Sequence, residues 1–459
     1  MTFDLAHWQA RFDELAAANH VPGATLAVLA GGRIHELATG VLHRGTGVAA
    51  TPDSVFQLGS ITKVYTATLI MQLVESGELD LDARVADVLP DFAVADPEAT
   101  KTVTVRQLLS HTSGISGDFT HDTGRGDDCL ARYIDACTVV SQDCPPGTAS
   151  SYSSTGYNIL GRIIEVLTGL TWDAALRERI CAPLGLTSTV TLPEEVLRFR
   201  AAMGHLGEPG RLPDPAPSWN PLPRSAGPYG GGALCATAAD VVRFARTHLD
   251  GGAAPDGTRL LGTATAERMR RLEVNVPDKW TVSSDGWGLG WTLYDWFGVP
   301  GFGHDGATIG QYGYLRVAPE SGVIMVLLTN GGGARQLYSE LFHELWDQVA
   351  GIQVPAPFGP PEQPAAVDFA PLVGTYRREG VAIHVSEREG TPHLVYEFID
   401  GMKDLSPPIE ADLVPLSQTV YAAAGTGAFS DDWMPVVFST LSNGTGCVYV
   451  GLRATPKIT

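Results

Sequence analysis

Residues 351–368, GIQVPAPFGPPEQPAAVD, carry five prolines and few large apolar side chains. Each proline removes a backbone donor and holds φ at about −65°, so such a run cannot continue a helix or pair inside a sheet. It reads as a semi-rigid linker. The 459-residue chain must therefore fold as two bodies, residues 1–350 and residues 369–459, with this segment between them.

The second body has short alternating runs, VAIHVSE, HLVYEF, VVFST and CVYVGL, separated by Gly, Pro, Asn and Asp. Period-2 runs divided by turn residues predict a small antiparallel barrel. The first body mixes element types. An apolar helical rhythm covers 4–18, and ATLAVLA (24–30), Gly31-Gly32 and 34–41 read as a hairpin. Helices are predicted at 61–76, 128–138, 156–168, 171–181, 238–249 and 336–349, and strands at 312–318 and 323–329 around Pro319-Glu320-Ser321-Gly322. This is an α/β body whose sheet draws strands from both ends, with a helical region between.

With 44% hydrophobic and 18% charged residues, the chain has ample material for a large core. Its formal charge of −20 argues against nucleic-acid phosphates or an anionic membrane as partners. No apolar run is long enough to span a bilayer. The start, Met1-Thr2-Phe3-Asp4-Leu5-Ala6-His7-Trp8, lacks a basic and then apolar leader, so a cytoplasmic location is expected. Six cysteines are too few for a disulfide scaffold. Cys129, Cys137 and Cys144 lie close together but without CxxC or paired-His spacing, so they read as ordinary thiols and no metal site is expected.

Chemistry enters at Gly59-Ser60-Ile61-Thr62-Lys63. Positions i and i+3 share a helix face, which sets an amine beside a hydroxyl. A serine hydroxyl needs a neighbouring base, and a lysine desolvated by apolar surroundings can act as one. The pattern is weak alone. Two further segments strengthen it: Tyr152-Ser153-Ser154, just before a helix, and His304-Asp305-Gly306, at a predicted strand edge. A tyrosine alone reads as a core aromatic, but in this company Tyr152 reads as a site residue.

With LLSHTSG (Leu108 to Gly114), these motifs in this order resemble the serine β-lactamase and penicillin-binding-protein superfamily, in its class C-like branch of esterases, D-aminopeptidases and D-peptidases. The resemblance spans roughly residues 5–350 and implies a β-lactamase-like fold, an antiparallel sheet flanked by helices with a helical subdomain. It implies Ser60 as nucleophile, with Lys63 and Tyr152 sharing the base and proton-shuttle work. His304 takes the place of a KTG lysine. The backbone amides of Ser60 and Ala307 would form the oxyanion hole, and Gly306 would leave room for the incoming acyl group. Ser154 stands where the family has asparagine, a shorter group that still donates and accepts. Gly232, in the Gly230–Gly232 run, would border the acyl pocket. His111 reads as a structural turn residue, and Asp127-Asp128 as a helix N-cap.

Leu372-Val373-Gly374-Thr375-Tyr376 opens a tail resembling the lipocalin-like barrel of some D-aminopeptidases and of penicillin-binding-protein-type thioesterases. Such a barrel holds a ligand, covers a neighbouring cleft or only covers an apolar patch, and Arg453 on its last strand is a candidate clamp for a carboxylate or carbonyl. The resemblance therefore points first to a stand-alone thioesterase. It would take a nonribosomal peptide with a D-residue at its acylating end from a peptidyl carrier protein and close it into a ring, without a cofactor. A D-stereospecific aminopeptidase, amidase or esterase stays open, as do a β-lactamase and a non-catalytic acyl-ligand sensor. Removal of the tail is expected to leave acylation intact and to release more linear acid.

Overall fold

The structure is a computed structural model and describes residues 3–208, 210–217, 234–403, 406–425 and 432–459. Helix α1 (Leu5–Ala18) starts where Asp4 accepts hydrogen bonds from the amides of Ala6 and His7, both at 3.1 Å. A side-chain oxygen there satisfies donors that the first helical turn leaves unpaired. Strands β1 (Gly23–Ala30) and β2 (Arg33–His43) follow as the expected hairpin, with a short β3 (Val48–Ala49) at the edge. Then come α2 (Thr62–Glu75), α3 (Cys129–Ala136), α4 (Ser154–Thr168), α5 (Trp172–Leu176) and α6 (Ala238–Leu249). Six strands return to the sheet: β4 (Val274–Asn275), β5 (Gly286–Trp287), β6 (Thr292–Trp296), β7 (Val299–Thr308), β8 (Gln311–Ala318) and β9 (Val323–Thr329). Helix α7 (Ala334–Leu345) closes this part.

These strands form a nine-stranded antiparallel sheet in the order β3-β2-β1-β9-β8-β7-β6-β5-β4. The two ends of the sequence meet in its middle, where β1 pairs with β9 in the register Leu26↔Leu327 and Val28↔Met325. Both strands are buried throughout, as expected of strands covered on both faces. Alternation divides their side chains. Leu26, Val28, Met325 and Leu327 pack against Phe12 and Leu15 of α1 and Leu337 and Leu341 of α7. Ala27, Leu29, Ile324, Val326 and Leu328 face the other way, into the core shared with α2, α4 and α6.

Differences from the expected elements are local. The helix expected over 171–181 is α5 followed by a wider turn at Arg177–Cys181. Asp128 stands at the N-cap of α3, but its side chain makes no capping bond and pairs with Arg132 one turn on, at 2.7 Å. The paired arginine offers the carboxylate a charged partner in place of the backbone amides. All six cysteines are buried thiols.

Residues 351–368 run without helix or strand, tacked down by the Phe358 ring 5.5 Å from that of Trp280. Beyond them, β10 (Gly374–Arg378), β11 (Val381–Arg388), β12 (Thr391–Phe398), β13 (Ile409–Pro415), β14 (Val420–Ala424), β15 (Trp433–Thr440), β16 (Gly446–Val450) and β17 (Arg453–Pro456) form an eight-stranded antiparallel meander. Its ends nearly close into a barrel, with Tyr376 bridging to Lys457 and the Ile458 amide donating to Thr375 at 2.8 Å. Tyr376, Leu394, Leu413, Tyr421 and Phe438 fill the interior. Outside it, Val437, Leu441, Cys447, Tyr449 and Ala454 pack on Cys144, Ala149 and Trp280 of the larger part.

Candidate active site

The strand Phe56–Gln57 pairs with Cys235–Ala236 and delivers the chain into a tight turn, Gly59–Ile61, before α2 begins at Thr62. Ser60 thus sits in a turn at the mouth of a buried helix, and Lys63 lies in its first turn. Lys63 Nζ lies 3.0 Å from Ser60 Oγ and donates to Ser154 Oγ at 3.2 Å. The lysine is fully buried. Burial, and then the Arg453 guanidinium, hold its pKa well below the ordinary lysine range, with Asp118 opposing. A lysine of this kind presents a neutral amine whose lone pair can accept the Ser60 proton.

Tyr152 and Ser153 precede α4, where Ser153 Oγ accepts from the Gly156 amide at 3.0 Å and Ser154 opens the helix. Ser154 therefore reaches Lys63 despite being shorter than asparagine. The Tyr152 ring stands 4.8 Å from Lys63 Nζ, and its hydroxyl hydrogen-bonds Ser60. Burial raises the phenol's pKa, while the Ser60 hydrogen bond and Arg453 work against this. At rest Tyr152 is a proton-bearing phenol. His111, at φ +58°, is buried beside it, accepting from the Ser153 amide at 3.1 Å through Nδ1 and from the Ser151 amide at 2.8 Å through its carbonyl. It organises the backbone that carries Tyr152.

On β7, His304 is buried with its ring 6.3 Å from that of Tyr152. Its Nδ1 lies 2.6 Å from the Asp305 carbonyl, so the proton sits on Nδ1 and Nε2 is left as a buried acceptor without a protein partner. Burial and Lys63 push its pKa down to about 3, and the imidazole is neutral. Gly306 is needed for the packing of the site's own backbone. A Cβ there would lie 1.9 Å from the Leu58 carbonyl and 2.9 Å from the Ser60 amide. Close packing of β7 on the nucleophile turn by itself excludes a side chain. The same approach sets Ala307, the next residue along β7, beside the Ser60 turn. Gly232 lies outside the described residues.

Arg453 reaches this site from the barrel. Its Cζ lies 5.2 Å from the Tyr152 ring centroid, and its Nη2 pairs with Asp118 at 2.8 Å. The turn before it belongs to the site as well: the Leu452 carbonyl accepts from the Tyr152 amide at 3.1 Å, and the Leu452 side chain packs with Tyr152, Val276 and Trp287. Leu452, Asp118 and Trp287 escape sequence reading because none stands in a motif. Contacts across the two bodies reveal Leu452 and Asp118, and ring contacts with His111, Tyr152 and His304 reveal Trp287.

The family model described as Beta-lactamase matches residues 8–349. The chain belongs to the beta-lactamase family. Penicillin-binding protein 4 of Amycolatopsis lactamdurans is 65% identical over 382 residues, 83% of this chain and all of that one. The crystal structure of SurE aligns over 99% of both chains at TM-score 0.76 and 28% identity, and SurE with D-Leu at 0.73 and 29% over the same shares. D-amino acid amidase from Ochrobactrum anthropi SV3 shares the fold over 75% of this chain and 99% of its own, at TM-score 0.61 and 24% identity. This beta-lactamase-family chain is a serine acyl hydrolase of the penicillin-binding-protein type. No helix among the described residues is long and apolar enough to cross a membrane, and no cluster among them has a metal-ligand set.

Proposed function

We propose that this enzyme accepts a peptidyl thioester with a D-residue at its acylating end and closes the peptide on its own amine. The observation that carries this reading is the barrel's turn at Leu452-Arg453, which sets a guanidinium over Tyr152 and makes the barrel a wall of the site. The likeness to SurE, which includes the barrel and a form with D-Leu, supports it.

The residues divide the work as follows. Ser60 Oγ attacks the thioester carbon while Lys63 Nζ takes its proton. Negative charge collects on the carbonyl oxygen, toward the amides of Ser60 and Ala307. The C–S bond breaks, the thiol leaves with a proton passed through Tyr152, and an ester on Ser60 remains. The substrate's amine then attacks that ester and gives up a proton through Tyr152 and Lys63, which returns one to Ser60 Oγ. Arg453 meets the substrate's oxygen atoms at the mouth. A folded-back amine outruns water when its effective concentration is high and the site is shielded. We place the donor thioester on a peptidyl carrier protein in the cytoplasm, a reducing compartment that suits six buried thiols.

The test is intact-protein mass and product analysis with peptide thioester mimics ending in a D- or an L-residue. The expected result is an acyl adduct and cyclic peptide from the D-form, little reaction from the L-form, and neither adduct nor product in Ser60→Ala. Linear acid alone from every D-terminal peptide would replace ring closure by D-specific hydrolysis of the same acyl-enzyme.

A further inference from the structure

Asp118 is the point at which the two bodies exchange charge. Its side chain is 4% exposed, and it takes two guanidiniums from different barrel strands. Arg378, on β10, donates to Oδ2, and Arg453, on β17, pairs with Oδ1 at 2.8 Å. Arg378 is itself fixed by donating to the Tyr396 hydroxyl at 3.0 Å. Burial alone would raise the Asp118 carboxyl, but the two guanidiniums outweigh it and hold it below the ordinary range.

The carboxylate is also fixed relative to the catalytic segment. A Cβ on the neighbouring Gly117 would lie 2.2 Å from the Tyr152 carbonyl and 2.8 Å from Ser153 Cα, so the two backbones touch. Asp118 therefore moves with Tyr152, and whatever it holds is placed relative to Tyr152. One carboxylate between two guanidiniums leaves one positive charge unmatched. Both arginines have a buried Nε without a hydrogen-bond partner, but Arg453 is the more open, 18% exposed against 3% for Arg378. Without an anion at this point, Arg453 would face the Arg378 guanidinium with nothing between them, and repulsion would turn it toward solvent.

We propose that Asp118 is a positioning residue: its carboxylate, locked to the Tyr152 backbone and shared with Arg378, keeps the Arg453 guanidinium over Tyr152 ready for the substrate's oxygen atoms. This rests on the reading of Arg453 given under the proposed function. Asp118 touches no substrate and acts through Arg453. Its loss should therefore raise KM as the loss of Arg453 does, and the two losses should not multiply.

The experiment measures kcat and KM of the full-length protein on one D-terminal peptide thioester. It compares Arg453→Ala, Asp118→Asn, their double variant, and Asp118→Asn/Arg378→Met, which removes an anion and a cation together and so leaves less unpaired buried charge. Arg453→Ala is expected to raise KM about tenfold or more, the scale of a lost charged hydrogen bond. Asp118→Asn should match it, the double variant should be no worse than either, and Asp118→Asn/Arg378→Met should show the same raised KM. Wild-type KM in Asp118→Asn or in Asp118→Asn/Arg378→Met, or multiplying losses, would overturn the inference while leaving the proposed function intact. Wild-type KM in Arg453→Ala would instead overturn the reading of the site.

Discussion

The backbone amide of Tyr152 donates to the carbonyl of Leu452 at 3.1 Å, joining the catalytic segment to a turn three hundred residues further along the chain. The contact is reinforced on both sides. The Leu452 amide donates to Asp278 Oδ2 at 3.2 Å, and the Ala454 amide to Ser151 Oγ at 3.2 Å. Leu452 sits at φ +71°, an uncommon conformation for a residue with a side chain, and this aims its carbonyl at Tyr152. The barrel is thus part of what holds the tyrosine, not a cover laid over a finished site.

Truncation near residue 360 should therefore abolish acylation, and not merely shift products toward linear acid as the sequence suggests. It would remove the acceptor of the Tyr152 amide, strip Arg453 from the cleft, and expose Cys144, Ala149 and Trp280. Acyl adduct formation by mass, with far-ultraviolet circular dichroism to confirm folding, checks this. A folded truncated protein that acylates at the full rate would contradict it.

Lys63→Met should abolish turnover and raise thermal stability at pH 7. The native lysine has a pKa well below its ordinary value because of burial, so it folds neutral while the unfolded chain holds it protonated. The unfolded state binds more protons, so stability rises with pH between the native and the ordinary pKa. The variant's advantage in Tm should shrink steadily as pH rises from 7 toward 10. No gain at pH 7 would mean that Lys63 is charged in the folded protein.

Arg453 lowers the Lys63 pKa, so Arg453→Ala should move the acid limb of the kcat/KM profile to higher pH. A limb at the wild-type position would show that the guanidinium does not act on the lysine.

Asp143 provides a pH signature of the interface. Burial raises its pKa to about 7, and Ser151 Oγ, which donates to it at 3.0 Å, also accepts the Ala454 amide from the barrel. The folded pKa lies above the unfolded one, so the native state binds the extra proton. The associated stability is full below about pH 4 and is lost as pH rises through about 7. Asp143→Asn keeps an acceptor for Ser151 without the charge. It should match the wild-type Tm at pH 5 more closely than at pH 8, where it should be the more stable protein. Equal Tm differences at both pH values would refute this.

Gly306→Ala should reduce activity by orders of magnitude and lower Tm, because the new methyl group meets the Leu58 carbonyl and Ser60 amide, neither of which can rotate away. Overpacking of this kind typically costs about 1–3 kcal/mol. Normal kinetics in this variant would show that the nucleophile turn is free to withdraw from β7.

Much of the protein is legible in its sequence, because local chemistry writes it there. The β1–β2 hairpin follows from ATLAVLA and its paired glycines, and α6 (Ala238–Leu249) from its apolar rhythm. The grouping of Ser60 with Lys63 follows from one helical turn. Those signals are periodic or contiguous, and each element's preference is set by neighbours within a few residues. Asp128 shows the limit, since the same carboxylate suits an N-cap or an arginine one turn on and the sequence does not rank them. What only the tertiary structure decided lies further apart along the chain. Lys63 takes its neutral amine from burial and from Arg453, Gly306 is required by the approach of Leu58, and Asp118 matters only because Arg378 and Arg453 arrive from the barrel. Desolvation, close packing and charge pairing depend on distances between residues hundreds of positions apart, and those distances exist only once the chain has folded.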